Sequence, residues 1–275
     1  MIPFTKMHGL GNDFVVLDLR DGTPAPDAVL ARNIADRHRG IGCDQIILIE
    51  PATTDGIDAR LRFLNSDGSE SGACGNGTRC VAAMLMRAAG RDTLVLETLG
   101  GRLRAEQAAG GLFTVDMGPA QLDWRDVPLV READTLRLDI ALGPLVGPVA
   151  VGMGNPHCVF FVDDAEDIEL GALGPQIEHH PQFPRRTNVE VATVIDRGRI
   201  RLRVWERGAG ITLACGSGAC ATLVAAHRRG LTGRKAELMM DGGALTVEWR
   251  EDNHVLLTGP VAVSFTGVID ASLAA

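Results

Sequence analysis

Two short segments of the 275-residue chain place a thiol in the same setting: Ala73-Cys74-Gly75-Asn76-Gly77 and Ala214-Cys215-Gly216-Ser217-Gly218. Each precedes a stretch rich in Ala, Leu, Met and Val that reads as a buried helix. A helix start presents unpaired N–H groups and about half a unit of positive charge, which attracts anions and lowers a thiol pKa from about 8.5. The flanking glycines let a ligand approach the backbone. One such loop would be an anion site; two related ones, one from each half of the chain, suggest an anion held between two thiols. The fitting ligand is an amino acid whose α-carboxylate lies on both sets of N–H groups, with its α-carbon between the sulfurs. Inverting that carbon needs a base on one face and an acid on the other, with roles exchanged in the reverse direction. A thiolate and a thiol serve because each can be either partner. With no pyridoxal electron sink, the carbanion depends on the backbone dipoles that hold the carboxylate in a water-excluded site. A lone cysteine is ordinarily just a small buried residue, and it is the repeated glycine-flanked context that favours chemistry here.

The elements that must position these thiols are mostly strands. Residues 15–18, 46–49, 94–97, 113–116, 159–162, 200–205, 245–249 and 255–257 are short and rich in β-branched residues, with Gly, Pro and Asp between them. Residues 245–257 read as a hairpin. Residues 78–89 and 219–229 are apolar around their circumference and end at Gly90 and Gly230, so they read as enclosed helices. Several segments recur at nearly one spacing. Gly9-Leu-Gly11-Asn12 matches Gly152-Met-Gly154-Asn155, the strand after Gln45 matches the one after Asn188, and residues 62–71 match 203–212. The fold class predicted is therefore α+β, in two pseudo-symmetric domains, each a mainly antiparallel sheet or barrel wrapped around a central apolar helix. The boundary falls near Gly118 and Pro119: residues 1–117 carry Cys74 and residues 118–261 carry Cys215.

Composition limits the function classes. Hydrophobic residues are 45% of the chain and charged ones 23%, ordinary values for a globular protein. A formal charge of −8 with no Lys/Arg stripe argues against nucleic acid as a partner. No apolar run approaches the roughly 18 residues of a membrane helix, and the amino terminus does not read as a signal peptide, so a cytoplasmic location with reduced thiols is expected. The Cys74/Cys80 and Cys215/Cys220 pairs lack the two-residue gap of a redox or zinc motif, and no metal site is expected. Cys43, Cys80, Cys158 and Cys220 read as packing residues.

Nearly the whole chain resembles the diaminopimelate epimerase family. The segments that carry the resemblance are His8-Gly-Leu-Gly-Asn-Asp-Phe14, Asn65-Ser-Asp-Gly-Ser-Glu70, Ala73-Cys-Gly-Asn-Gly-Thr-Arg-Cys80, Gly154-Asn-Pro-His157, Asn188, and Trp205-Glu-Arg-Gly-Ala-Gly210 leading into Ala214-Cys-Gly-Ser-Gly-Ala-Cys220. The resemblance implies interconversion of LL- and meso-diaminopimelate in lysine and peptidoglycan precursor synthesis, with no cofactor, in a homodimer. It also implies that the last strand, about residues 262–275, crosses back to the first domain. Cys74 and Cys215 would be the acid/base pair, and Gly75, Asn76, Gly216 and Ser217 would hold the reacting carboxylate. Asn12, Gln45, Asn65, Asn155, Asn188, Glu206 and Arg207 match substrate contacts, with Arg207 a plausible bidentate clamp for a distal carboxylate. His157 and Glu206 match positions that tune the thiols, although His157 alone reads equally well as a satisfied buried histidine.

Three departures from the family pattern stand out. Ile211 replaces the usual Glu, which removes a polar support expected for the second thiol loop; Gly72-Ala73 is smaller than usual; and the chain has no tyrosine. A proline-racemase-like enzyme would share the two-thiol logic with another substrate. The amides and Glu206-Arg207 suit a substrate with a second polar end instead. A thiol redox or metal-binding protein is disfavoured by the cysteine spacing, and a catalytically dead binding protein by the retention of both cysteines.

Overall fold

Gln45–Glu50 has four consecutive buried residues, Ile46 to Ile49, a pattern a strand sustains only when both of its faces are covered. Helix α1 (Ala28–Ala35) covers one face: Ala31 and Ile34 pack in one cluster with Val15, Leu17, Ile46 and Leu48. Helix α2 (Gly75–Ala89) covers the other, its first turn lying against Ile47, Phe63 and Phe14 at Gly77. In this computed structural model, which describes residues 1–72, 74–270 and 273, these elements belong to the first of two compact units. That unit comprises Met1–Val115 with Gly259–Ala275; the second is Asp116–Thr258. Ala73 and residues 271, 272, 274 and 275 of the expected returning strand lie outside the described residues.

In the first unit Ile2–Gly9 and Asn12–Asp18 form a hairpin. Asn12–Asp18 then pairs in parallel with Gln45–Glu50, which pairs antiparallel with Ala59–Asn65. After the two-residue strand Glu70–Ser71 and α2, Thr93–Thr98 lies parallel to the start of Ala59–Asn65 and continues into antiparallel Gly101–Gln107. The late strand Ala262–Ile269 pairs antiparallel with Ile2–Gly9.

The second unit repeats this order element by element. The hairpin is Val149–Gly152 with Pro156–Phe161, followed by parallel Asn188–Asp196 and antiparallel Arg199–Glu206. Short Gly210–Thr212 and an apolar helix lead to Lys235–Met240, parallel to Arg199–Glu206, and then to Gly243–Trp249 and His254–Gly259. Helix α3 (Leu170–Glu178) packs Leu170 and Ile177 on one side of this sheet with Phe160, Val189 and Val191. The other side faces α4 (Gly216–Arg228). The fold is thus α+β with two repeated units.

The apolar helices begin earlier than their sequence suggests, at Gly75 and Gly216 rather than at residues 78 and 219. The cysteine carbonyls account for this: Cys74 O accepts from Thr78 N at 2.8 Å and Cys215 O from Ala219 N at 3.0 Å, drawing the glycines into the first turn. Helices α1 and α3 are not marked in the sequence, because α1 is only eight residues long and α3 carries two glycines and Pro175. Among the described residues no helix is long and apolar enough to cross a membrane.

Candidate active site

Cys74 is the N-cap of α2 and Cys215 the N-cap of α4, both in extended backbone conformation. A capping residue stands where the first N–H groups of its helix have no intrahelical acceptor, so each thiol sits at the positive end of an apolar helix. All six cysteines are thiols. Cys43 and Cys80 are buried, and burial pushes each thiol up to about 12, which makes them inert packing residues. Cys158 is likewise buried and raised.

Around Cys74 the structure gathers Asn12 and Asn76. Asn12 Oδ1 lies 3.8 Å from Cys74 Sγ and accepts from Asn76 Nδ2 at 3.2 Å. The orientation of the Asn12 amide is fixed from behind, because its Nδ2 donates to Asp44 Oδ2 at 2.8 Å and a carboxylate can only accept. Asp44 is held in turn by Arg37, which also donates to Asp13 at 2.7 Å, and Asp13 pairs with Lys6 at 2.5 Å. Gln45 and Asn65, opposite each other across two strands, are joined by a bond from Gln45 Nε2 to Asn65 Oδ1 at 2.9 Å. Ser69 accepts from the Asn65 amide.

Cys215 is only 4% exposed. Its sulfur accepts from Gly218 N at 3.3 Å and lies 3.6 Å from Ser217 Oγ. The helix start favours a thiolate, as the sequence suggests, but it does not win at Cys215. Burial, then the Glu206 and Glu190 carboxyls, push this thiol well above its ordinary value, and the Gly218 and Ser217 bonds only partly oppose them. The Glu206 carboxyl is itself raised by burial; the Thr212 hydroxyl, 2.6 Å away, and the Cys215 thiol draw it back. Thr212 thus supports Glu206 beside Ile211, which stays 47% exposed.

His157 is fully buried, with Nδ1 2.7 Å from Glu190 Oε1 and Nε2 2.8 Å from Asn155 Oδ1. Asn188 is committed within the protein: Nδ2 donates to Pro156 O and Oδ1 accepts from Arg207 N, both at 2.9 Å. Its side chain therefore fixes the Glu206-Arg207 corner. The partly exposed Arg207 guanidinium donates to Arg185 O at 3.1 Å, and partial burial and the neighbouring Arg186 both weaken its hold on its proton. Buried Glu178 braces the same corner, accepting from Trp205 Nε1 at 2.7 Å and Gly208 N at 3.0 Å. Glu178, Asp44, Thr212 and Glu190 are absent from the sequence-derived site. For Glu190 the available signal was a carboxylate inside the apolar run Val189 to Ala192. Among the described residues no group of three or more His, Cys, Asp or Glu is arranged to hold a metal ion.

The family model described as diaminopimelate epimerase matches residues 4–122 and 149–264. The diaminopimelate epimerase of Rhodospirillum centenum is 60% identical over 98% of this chain and 93% of its own length. That of Acidiphilium cryptum is 57% identical over 99% and 98%. Among solved structures, a probable proline racemase from Agrobacterium radiobacter has a TM-score of 0.71 at 17% identity, covering 98% of this chain and 93% of that one. A predicted epimerase from Pseudomonas aeruginosa has a TM-score of 0.69 at 19% identity, covering 98% and 99%. At these identities the two structures share the fold.

The support behind Asn12 has a defined pH signature. Burial acts to raise the Asp13 carboxyl, but the Arg37 and Lys6 hydrogen bonds and charges outweigh it and bring it down from 3.8 to about 2. A depressed carboxyl contributes stability that is complete above the unfolded value and lost as pH falls through the folded one. Asp13→Asn should therefore cost on the order of 2 kcal/mol at neutral pH. The gap from the parent should close as pH falls from about 4 towards about 2, read from urea unfolding midpoints. A gap that stays constant over that range would show that Asp13 acts through packing rather than charge.

Proposed function

The chain belongs to the diaminopimelate epimerase family, and from that membership we propose that it interconverts LL- and meso-diaminopimelate with Cys74 and Cys215 as its acid/base pair. The observation that carries this reading is that two units of matching topology each place a thiol as N-cap of a buried helix beginning with glycine. One sulfur, as thiolate, takes the α-proton, and the electron pair left on carbon spreads into the carboxylate. Main-chain N–H groups of Gly75, Asn76, Gly216 and Ser217 stabilise that charge. The other sulfur, as thiol, delivers its proton to the opposite face. One thiolate and one thiol are consumed and one of each is regenerated, so the step needs no pyridoxal phosphate, nicotinamide or metal. His157 and Glu206 adjust the thiols' protonation. Asn12, Gln45, Asn65, Asn155, Glu206 and Arg207 form the cage for the non-reacting end, with Asn188 bracing it through Arg207 N, and Arg207 beside Arg186 offers a positive corner to a distal carboxylate.

The same proposal places the enzyme in the cytoplasm, in lysine and peptidoglycan precursor synthesis, as a homodimer. The late strand leaves Val263, Phe265 and Val268 exposed, apolar surface that self-association would cover. Sedimentation velocity at micromolar concentration should give twice the 29.2 kDa chain mass, and a monomer throughout would remove this part of the reading.

Incubation of the purified, chelator-dialysed protein with LL-diaminopimelate in deuterated water should yield the meso isomer carrying deuterium at the inverted carbon. Cys74→Ser and Cys215→Ser should each slow epimerisation by about 10²- to 10⁴-fold. Epimerisation within tenfold of the parent's rate in either variant would end the two-thiol mechanism. Arg207→Lys should raise KM roughly 10- to 100-fold with a smaller effect on kcat, because an ammonium cannot reproduce the guanidinium fork on a carboxylate. Unchanged KM would mean that the distal carboxylate is held elsewhere.

A further inference from the structure

The two units share a topology but differ beneath their thiols. In the first, the glycine of the helix's first turn, Gly77, rests on Ile47, Phe63 and Phe14; an added Cβ would lie 2.8 Å from Ile47 Cδ1 and 3.4 Å from Phe14 Cε1. In the second, the corresponding Gly218 rests on a carboxylate, with its Cβ position 2.9 Å from Glu190 Oε1 and 3.2 Å from Cys215 Sγ. Strand register makes the residues equivalent: Val16 pairs in parallel with Ile47, and Val159 pairs in parallel with Glu190. Phe14 and His157 likewise stand opposite Gln45 and Asn188. An aliphatic and an aromatic side chain in one half are thus replaced in the other by a carboxyl and an imidazole, both 0% exposed and 2.7 Å apart. Ile47 shows that an aliphatic residue satisfies the packing at this register. A buried carboxyl there costs desolvation, and Glu190 Oε2 is buried without a hydrogen-bond partner among the described residues.

We propose that Glu190 is a positioning residue that holds the His157 ring at the foot of α4 and, together with burial and Glu206, keeps Cys215 the proton donor of the two thiols before substrate arrives. This rests on the two-thiol reading above. The titratable groups facing Glu190 are His157 and Cys158 of Pro156–Phe161, Cys215 at the head of α4, and Glu206 at the end of Arg199–Glu206. Burial raises the Glu190 carboxyl and His157, 2.7 Å away through Nδ1, opposes it. Glu190 Oε1 and Cys215 Sγ flank the same point, the Gly218 Cβ position, so the carboxyl stands near the sulfur and favours its protonated form. Asn155, bonded to the far nitrogen of the same ring, is held in register by the same clamp. The first unit has an apolar pair at this place: Gly77 rests on Ile47, Phe63 and Phe14 where Gly218 rests on the Glu190 carboxyl.

The test is the rate of iodoacetamide labelling of Cys215 in the native protein at about pH 8, resolved by peptide mass spectrometry, with Cys74 as the internal reference. Glu190→Gln removes the charge and keeps the shape; Glu190→Ile installs the residue of the equivalent position. Each should label Cys215 about tenfold faster than the parent and leave the Cys74 rate unchanged. An unchanged Cys215 rate, or an equal rise at Cys74, overturns the proposal. So does loss of the fold in both variants, read from the thermal transition, since Glu190 would then be structural. Labelling reports on thiol protonation whatever the substrate. A parent that leaves diaminopimelate unchanged while the variants still differ at Cys215 would therefore sink the proposed reaction and not this inference.

Discussion

Each unit is organised around one steric requirement: the first turn of an apolar helix must lie flush on a sheet while its N–H end stays open. Flush contact is possible because the third helical residue is glycine, with side-chain atoms of the sheet already within about 3 Å of where a Cβ would be. A larger residue would lift the helix off the strands and carry the cysteine cap with it. The open end then follows from the cap itself. Cysteine supplies a carbonyl to close the first turn and leaves its sulfur beside N–H groups that no helical carbonyl can reach. The hairpins that carry Asn12 and Asn155 belong to the sheets on which those first turns rest.

Much of this was legible in the sequence. Both thiols, the glycines that follow them, the apolar helices and the repeat that relates the halves could be read from residue type and spacing. Those features are local or recur, and a repeated signal outweighs the ambiguity of each copy. What could not be read depended on register. Glu190 looks like any charged strand residue until pairing with Val159 places it on the inner face. Asp44 and Glu178 act through partners 32 and 30 residues away, a distance at which composition carries no signal. The direction of the Cys215 shift was missed for a related reason. The helix charge is visible in the sequence, whereas the burial and the two carboxyls that override it are products of the fold.

The two thiols are supported by different physical means. Behind Asn12 the first unit uses a chain of ion pairs that includes the exposed Arg37, where water and salt share the field. Behind Asn155 the second unit uses a pair from which solvent is excluded altogether. A low-dielectric pair is stiff and acts strongly at short range; an exposed network is softer and tolerates substitution. The halves thus resemble each other in backbone and differ in electrostatics.

The pairing of Ala262–Ile269 with Ile2–Gly9 gives the chain a nested order, with the second unit spelled out inside the sequence of the first. On a ribosome the inner unit, Asp116–Thr258, has all its strands available while the outer one still lacks its closing strand. The first strand to be made must therefore wait for the last before its edge is covered, and an uncovered strand edge is a template for mispairing. Nesting makes completion of the outer unit a later event than completion of the inner one. A chain interrupted before Ala262 would leave open the Ile2–Gly9 edge that Ala262–Ile269 covers, a sheet held at one side only.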